Sequence, residues 1–218
     1  MIEKEVLVAD RLFRLLKVRD TNALVDSINP ETFAVDERLP YWADLWTSSV
    51  ELARACMVDL HVESKRLLDL GCGLGLAGIA AAHAGARVTF SDYEPDALDF
   101  CRCNAERNLS PRTFANNVTF MHLDWRQLPA LEKFDMILGA DVVYDRKNFF
   151  PLINVFQSLL KPDGIGVLTE PGRSIGEHFF TMLREYGFLL TRSKHEVALD
   201  GKSSEVIRAI IAKPVLNA

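Results

Sequence analysis

The chain has 218 residues, 49% of them hydrophobic, and a formal net charge of −5. One α/β domain is the simplest organisation at that length. The negative balance excludes broad non-specific attraction to nucleic acid or to an anionic membrane. No apolar run reaches the ~18 residues of a membrane helix, and no signal-peptide core opens the chain. The cysteines Cys56, Cys72, Cys101 and Cys103 form no evident disulfide framework, so the expected location is the reducing cytoplasm.

Residues 1–40 read as an N-terminal extension to a main domain over 41–218. Within the extension, segments 11–19 and 23–28 flank the polar Asp20-Thr21-Asn22 and read as a β-hairpin, although the pattern of 11–18 also fits a helix. Pro40-Tyr41-Trp42 and Leu45-Trp46-Thr47 set three aromatic residues before the first sheet helix. They either floor a ligand site, with Trp46 nearest the ligand, or pack as a flap. Ser48-Ser49-Val50-Glu51 reads as a capping box for a helix reaching about Leu60.

From Arg66 strands and helices alternate. Strands fall at 66–70, 87–91, 118–123, 136–140 and 165–169. A helix over 76–84 is stopped by Gly85, and Pro95 sits in the first turn of a helix reaching about Asn108. Further helices cover 147–160 and about 175–186. Segments 188–197 and 204–212 bracket Asp200-Gly201, a hairpin turn pair. The pattern predicts a doubly wound, mostly parallel seven-stranded Rossmann-like α/β sheet whose last strand is antiparallel.

Leu67-Leu68-Asp69-Leu70-Gly71-Cys72-Gly73-Leu74-Gly75 joins the first of these strands to its helix. Gly71, Gly73 and Gly75 let bare backbone approach a ligand. Residues 73–78 also fit the dinucleotide fingerprint G-x-G-x-x-G. Asp69 argues against a nicotinamide dinucleotide, because a carboxylate there repels a pyrophosphate and attracts an ammonium. S-adenosylmethionine (SAM) carries both an ammonium and a sulfonium.

Asp69, Asp92, Asp124 and Asp141 all fall at carboxyl ends of predicted strands, the edge where such sheets bind ligands. Asp92 can accept from a ribose diol or cap the next helix. Tyr93 beside it lies on an adenine or packs half-exposed. Asp124 can accept from the adenine amino group, with Trp125 against the ring, or the two make an ordinary turn and a surface anchor. Leu138-Gly139-Ala140-Asp141-Val142-Val143-Tyr144 ends the fourth strand, with Ala140 on the cofactor side. It lacks an Asn/Asp-Pro-Pro-aromatic arrangement and a Pro-Cys nucleophile. An Asp with a Tyr three residues on suits an alkyl ammonium; otherwise Asp141 caps a turn and Tyr144 is core. Glu170-Pro171-Gly172-Arg173 rims the same cleft. The five histidines show no metal-ligand spacing.

Together these residues resemble the seven-β-strand protein-lysine methyltransferases with an Asp/Glu-x-x-Tyr/Phe signature after strand four, here Asp141-Val142-Val143-Tyr144. The resemblance runs from about Pro40 to Arg173 plus the terminal hairpin. Pro40-Tyr41-Trp42-Ala43 and Pro171-Gly172-Arg173 look like the branch that methylates the electron transfer flavoprotein β-subunit. The resemblance implies SAM as cofactor, S-adenosylhomocysteine as product and a protein partner presenting a lysine. It also implies that Asp69, Gly71, Gly73 and Gly75 bind SAM, that Asp92 holds the ribose and that Asp141 faces the lysine. A small-molecule methyltransferase and a SAM-binding protein without transfer activity remain the alternatives.

Overall fold

The computed structural model describes residues 1–26, 28 and 39–214. Strands β1 (Ile2–Val8) and β2 (Arg11–Lys17) pair antiparallel in full register around Ala9 and Asp10. The expected hairpin is therefore displaced toward the N-terminus. Its first arm is β2, but the partner lies upstream, and Thr21–Asp26 is helix α1. The reason is local: Asp20 Oδ1 accepts from the amides of Asn22 (3.0 Å) and Ala23 (3.3 Å), so the acid starts a helix instead of a β-turn. The rest of the expected second arm includes Ser27, which lies outside the described residues, as do residues 29–38 of the expected extension.

A 3-10 turn (Tyr41–Ala43) leads into helix α2 (Thr47–Val58). The expected capping box does not form. The N-cap is Trp46, and no side chain caps the helix. Glu51 is instead buried against Arg54 Nε (2.8 Å), Arg208 Nη1 (3.2 Å) and His195 Nδ1 (3.3 Å). Three cationic or titratable partners outcompete a helix-terminal amide for a buried carboxylate.

The main sheet contains β3 (Arg66–Leu70), β4 (Arg87–Asp92), β5 (Val118–His122), β6 (Phe134–Ala140), β7 (Leu160–Glu170), β8 (Leu189–Leu199) and β9 (Lys202–Ala212). Their order is β5-β4-β3-β6-β7-β9-β8. All pairs from β5 to β7 are parallel, and β9 runs antiparallel to both neighbours, as the sequence pattern predicts. The remaining helices are α3 (Leu76–His83), α4 (Pro95–Asn108), α5 (Pro111–Asn117), α6 (Phe149–Leu159) and α7 (Ser174–Glu185). Helix α5 is absent from the sequence reading. Ser110 caps it by accepting from the Thr113 amide (3.1 Å), with Pro111 in the first turn.

Two apolar clusters cover the two faces of the sheet. One joins α2, α3 and α4 with Val6, Val8, Phe13 and Leu15 of the N-terminal hairpin. The other joins α6 and α7 with Phe134, Ile137 and Leu168 of the sheet. Residues 67–70 of β3 are all buried, as a central strand covered on both faces requires. The strand order reverses between β3 and β6, so the crevice for a ligand opens at their carboxyl ends. Asp69 and Asp141 are delivered to that crevice.

Candidate active site

Gly71, Gly73 and Gly75 have φ of +63°, +50° and +86°. Side chains rarely adopt this left-handed region. At Gly75 a Cβ would also lie 2.5 Å from Cys101 Sγ. The loop is tied by Cys72 N donating to Ser91 O (2.9 Å) and Gly73 N donating to Asp92 Oδ2 (2.9 Å). Asp69 Oδ2 accepts from the Gly78 amide in the first turn of α3 (3.0 Å). Burial pushes the Asp69 carboxyl up to about 7 against the pull of the Gly78 amide, and the Asp92 charge adds to the rise. Burial also raises Asp92, opposed by the amides of Glu94 and Gly73. Both acids accept hydrogen bonds from backbone amides, so each retains acceptor capacity for a ligand.

At the β5 end, Asp124 accepts from the Arg126 amide (2.9 Å) and from its guanidinium at Nε (2.8 Å) and Nη2 (3.0 Å). The same guanidinium lies 4.9 Å from the Tyr93 ring centroid. Trp125 packs beside Gly71, where a Cβ would lie 3.4 Å from its ring, and Nε1 reaches Asn148 Oδ1 (3.4 Å).

Asp141 follows β6 with φ +56°. A non-glycine residue here is uncommon, and such conformations concentrate at functional sites. Its amide donates to Thr169 O (2.8 Å). Its carboxylate receives the Arg173 guanidinium as a fork, Nη1 on Oδ1 and Nη2 on Oδ2 (3.3 Å). Burial raises the Asp141 carboxyl, and Arg173 opposes the rise. Tyr144, Tyr41 and Trp46 stand around the opening, 43%, 44% and 36% exposed. Tyr144 meets Tyr41 edge-on at 5.4 Å, and Trp46 Nε1 donates to Tyr41 O (2.8 Å). Partial desolvation and the charges of Asp92 and Asp145 push the Tyr144 phenol up to about 12.

These groups line one cavity of about 400 Å³, within the range of small-molecule sites. The structure brings all the sequence-named site residues to it: Trp46, Asp69, Gly71, Gly73, Gly75, Asp92, Tyr93, Asp124, Trp125, Ala140, Asp141 and Tyr144. Arg126 and Asn148 also line it and carry no spacing signal in the sequence. Seven carboxylates against three cationic side chains make the lining acidic. SAM fits this donor set. The left-handed glycines leave backbone open to it, and the acceptor capacity of Asp69 and Asp92 would suit its ammonium and its ribose hydroxyls.

Fold and site together define a SAM-dependent methyltransferase. Solved methyltransferases share the architecture. The glycopeptide N-methyltransferase MtfA superimposes with a TM-score of 0.65 at 13% identity over 91% of this chain and all of its own. Precorrin-6y C5,15-methyltransferase from Geobacter metallireducens GS-15 gives 0.61 at 19% identity over 75% of this chain and 88% of its own. At those identities the likeness shows the fold alone. Sequence goes further: residues 42–186 match the lysine methyltransferase family, and the chain belongs to it. Protein N-lysine methyltransferase METTL21A of Danio rerio is 35% identical over 154 residues, 68% of this chain and 70% of that protein. Its Mus musculus counterpart is 30% identical over 169 residues, 73% of this chain and 77% of its own.

Proposed function

We propose that this protein methylates the side-chain amine of a protein lysine, with Asp141 and Tyr144 facing the acceptor and the remaining sequence-named residues holding SAM. The observation that carries the reading is Asp141, an anion held in left-handed backbone beside a cavity mouth ringed by Tyr41, Trp46 and Tyr144. Names of relatives at 30–35% identity support the lysine acceptor.

SAM supplies an electrophilic methyl on a sulfonium. Asp69 and the glycine loop hold its amino-acid end, Asp92 its ribose, and Tyr93, Asp124, Trp125 and Ala140 line the adenine side. The acceptor must arrive as a neutral amine. With an unperturbed lysine pKa of about 10.4, only about 0.1% is neutral near pH 7.4, equivalent to roughly 4 kcal/mol. Asp141 and Tyr144 orient the nitrogen, its proton leaves to water, and alignment with the methyl supplies the rate through proximity. The four cysteines are free thiols, which supports a cytoplasmic location. No helix among the described residues is long and apolar enough to cross a membrane.

The test is incubation with methyl-labelled SAM and a cytosolic extract, alongside Asp141→Asn. A labelled protein band that is lost, or weakened at least ~100-fold, in the variant while SAM affinity stays within about twofold supports the assignment. The flavoprotein β-subunit, suggested by the Pro40–Ala43 resemblance, is a defined acceptor to include. Label appearing only in a small soluble product would transfer the reading to a small-molecule acceptor. Near-normal turnover by Asp141→Asn would remove Asp141 from the site.

A further inference from the structure

The reading of Asp141 as the lysine-facing acid contains a conflict. An unbalanced carboxylate beside an ammonium raises the amine pKa by about 1–3 units. The neutral fraction that can attack the methyl then falls tenfold or more. In the structure Asp141 is not unbalanced. Arg173 forks onto both of its oxygens, and the Asp141 side chain is only 8% exposed while that of Arg173 is 40% exposed.

The contact is built from a fixed loop. Glu170, buried at the end of β7, accepts from the Arg173 amide (2.9 Å). The Gly176 amide donates to Arg173 O (3.0 Å), which makes Arg173 the N-cap of α7. Gly176 itself packs on the Glu170 carboxyl, where a Cβ would lie 3.0 Å from Cδ. The backbone under Arg173 is therefore anchored, and its guanidinium is delivered to Asp141 by design of the loop. A two-point fork uses two of a carboxylate's roughly four acceptor positions, leaving room for an amine N–H.

We propose that Arg173 is a positioning residue that cancels the charge of Asp141, so that Asp141 orients the acceptor amine without holding it as an ammonium. The inference rests on the lysine reading above. Other charges face the same space. Glu170 stands behind Asp141. Asp92, Glu94 and Asp145 face Tyr144 together with the Tyr41 phenol, and Lys147 pairs with Asp145 (3.2 Å). Of these groups Glu170 also feels the Arg173 charge, so a shift that persists when Arg173→Gln is combined with Glu170→Gln reports Asp141. In the reaction the neutral amine's lone pair forms the new N–C bond, the C–S bond breaks, and its electron pair returns to sulfur. The product is a methylated ammonium and neutral S-adenosylhomocysteine.

The experiment measures initial rates of label transfer from methyl-labelled SAM into protein of a cytosolic extract, at saturating SAM, from pH 6 to 9.5. Arg173→Gln removes the charge and Arg173→Lys keeps it. Calorimetry with SAM reports folding and cofactor binding. For Arg173→Gln the midpoint of the rate profile moves alkaline by about one unit. Its rate at pH 7 falls about tenfold and converges toward wild type at pH 9.5, with SAM affinity unchanged. Arg173→Lys keeps the wild-type midpoint. Should the Gln variant fail to bind SAM, Arg173→Met, which retains the aliphatic stem, carries the same test. A uniform loss at every pH would reduce Arg173 to a structural role. A lower KM for labelled protein with an unmoved midpoint would mean that Arg173 merely occupies the acceptor's place. Either result overturns the proposal while leaving the lysine reading intact. No labelled protein with wild-type enzyme at any pH overturns both.

Discussion

Asp69 is buried, and its folded-state carboxyl is raised from 3.8 to about 7, desolvation outweighing the Gly78 amide. The sign follows from linkage. A raised folded pKa adds stability below the unfolded value, and that stability is lost as pH rises through about 7. Through this group the ligand-free protein is therefore more stable near pH 5 than near pH 8. A bound ammonium reverses the preference, because it favours the carboxylate. SAM should bind more weakly by up to about tenfold per pH unit below pH 7 and release a proton on binding there. Titration calorimetry at pH 5.5 to 7 in buffers of differing ionisation enthalpy checks this. A flat affinity, or the same slope in Asp69→Asn, would show that Asp69 does not meet the ammonium. The strand-end acids and glycines are legible in the sequence because each answers a local demand, a turn that only glycine enters freely or a strand end at the ligand edge. The partners of these acids are not legible. Arg126 grips Asp124 from two residues on in the same turn, Arg173 reaches Asp141 from another loop, and no periodicity encodes either contact.

Helix α4 acts as a splint between the N-terminal hairpin and the glycine loop. Asn104 Oδ1 accepts from the Leu16 amide (2.6 Å), and Nδ2 donates to Leu16 O (3.1 Å) and Leu74 O (3.0 Å). One turn on, Asn108 Oδ1 accepts from the Arg14 amide (2.9 Å) and Nδ2 donates to Arg14 O (2.8 Å). Two buried amides thus satisfy the open edge of β2 as a neighbouring strand would. Asn104→Ala removes three such bonds and orphans buried backbone groups, at a cost of about 2–4 kcal/mol. Because Leu74 lies in the cofactor loop, SAM affinity should fall as well. Urea unfolding and SAM titration of the variant test both halves. A stability change under about 0.5 kcal/mol would show that the splint contributes nothing. At this scale the sheet and its major helices are readable, since periodicity and glycine or proline punctuation specify them. The hairpin pairing is misread because Asp20-Thr21-Asn22 resembles a turn between strands, while Asp20 in fact starts a helix. Strand β2 (Arg11–Lys17) pairs with the segment before it, and its other edge is held by helix side chains far along the chain.

The cavity is assembled from segments distant in sequence: the Tyr41–Ala43 turn, the loops after β3 to β6, and Arg173 before α7. The strand order that brings these loops together also gathers acids at one edge of the sheet, seven against three cationic side chains, on a chain whose net charge is −5. Low-dielectric walls lined with one sign of charge focus the field at the mouth and favour partners of the opposite sign. Two ligands sample this field differently. In the proposed reading SAM lies deep, against Asp69 and Asp92, where salt would screen weakly. On the same reading a protein acceptor would approach through the exposed mouth at Tyr41, Trp46 and Tyr144, where charges more than about 8–10 Å apart are screened at physiological salt. Raising sodium chloride from 50 to 300 mM should therefore lower labelling of a protein acceptor severalfold through KM, while the SAM dissociation constant changes less than about twofold. Parallel initial-rate and calorimetric titrations separate the two. Equal salt sensitivity would mean that both ligands meet the same exposed charges. Insensitivity of both would show that the acid excess does not select the acceptor, leaving that choice to the shape of the aromatic mouth.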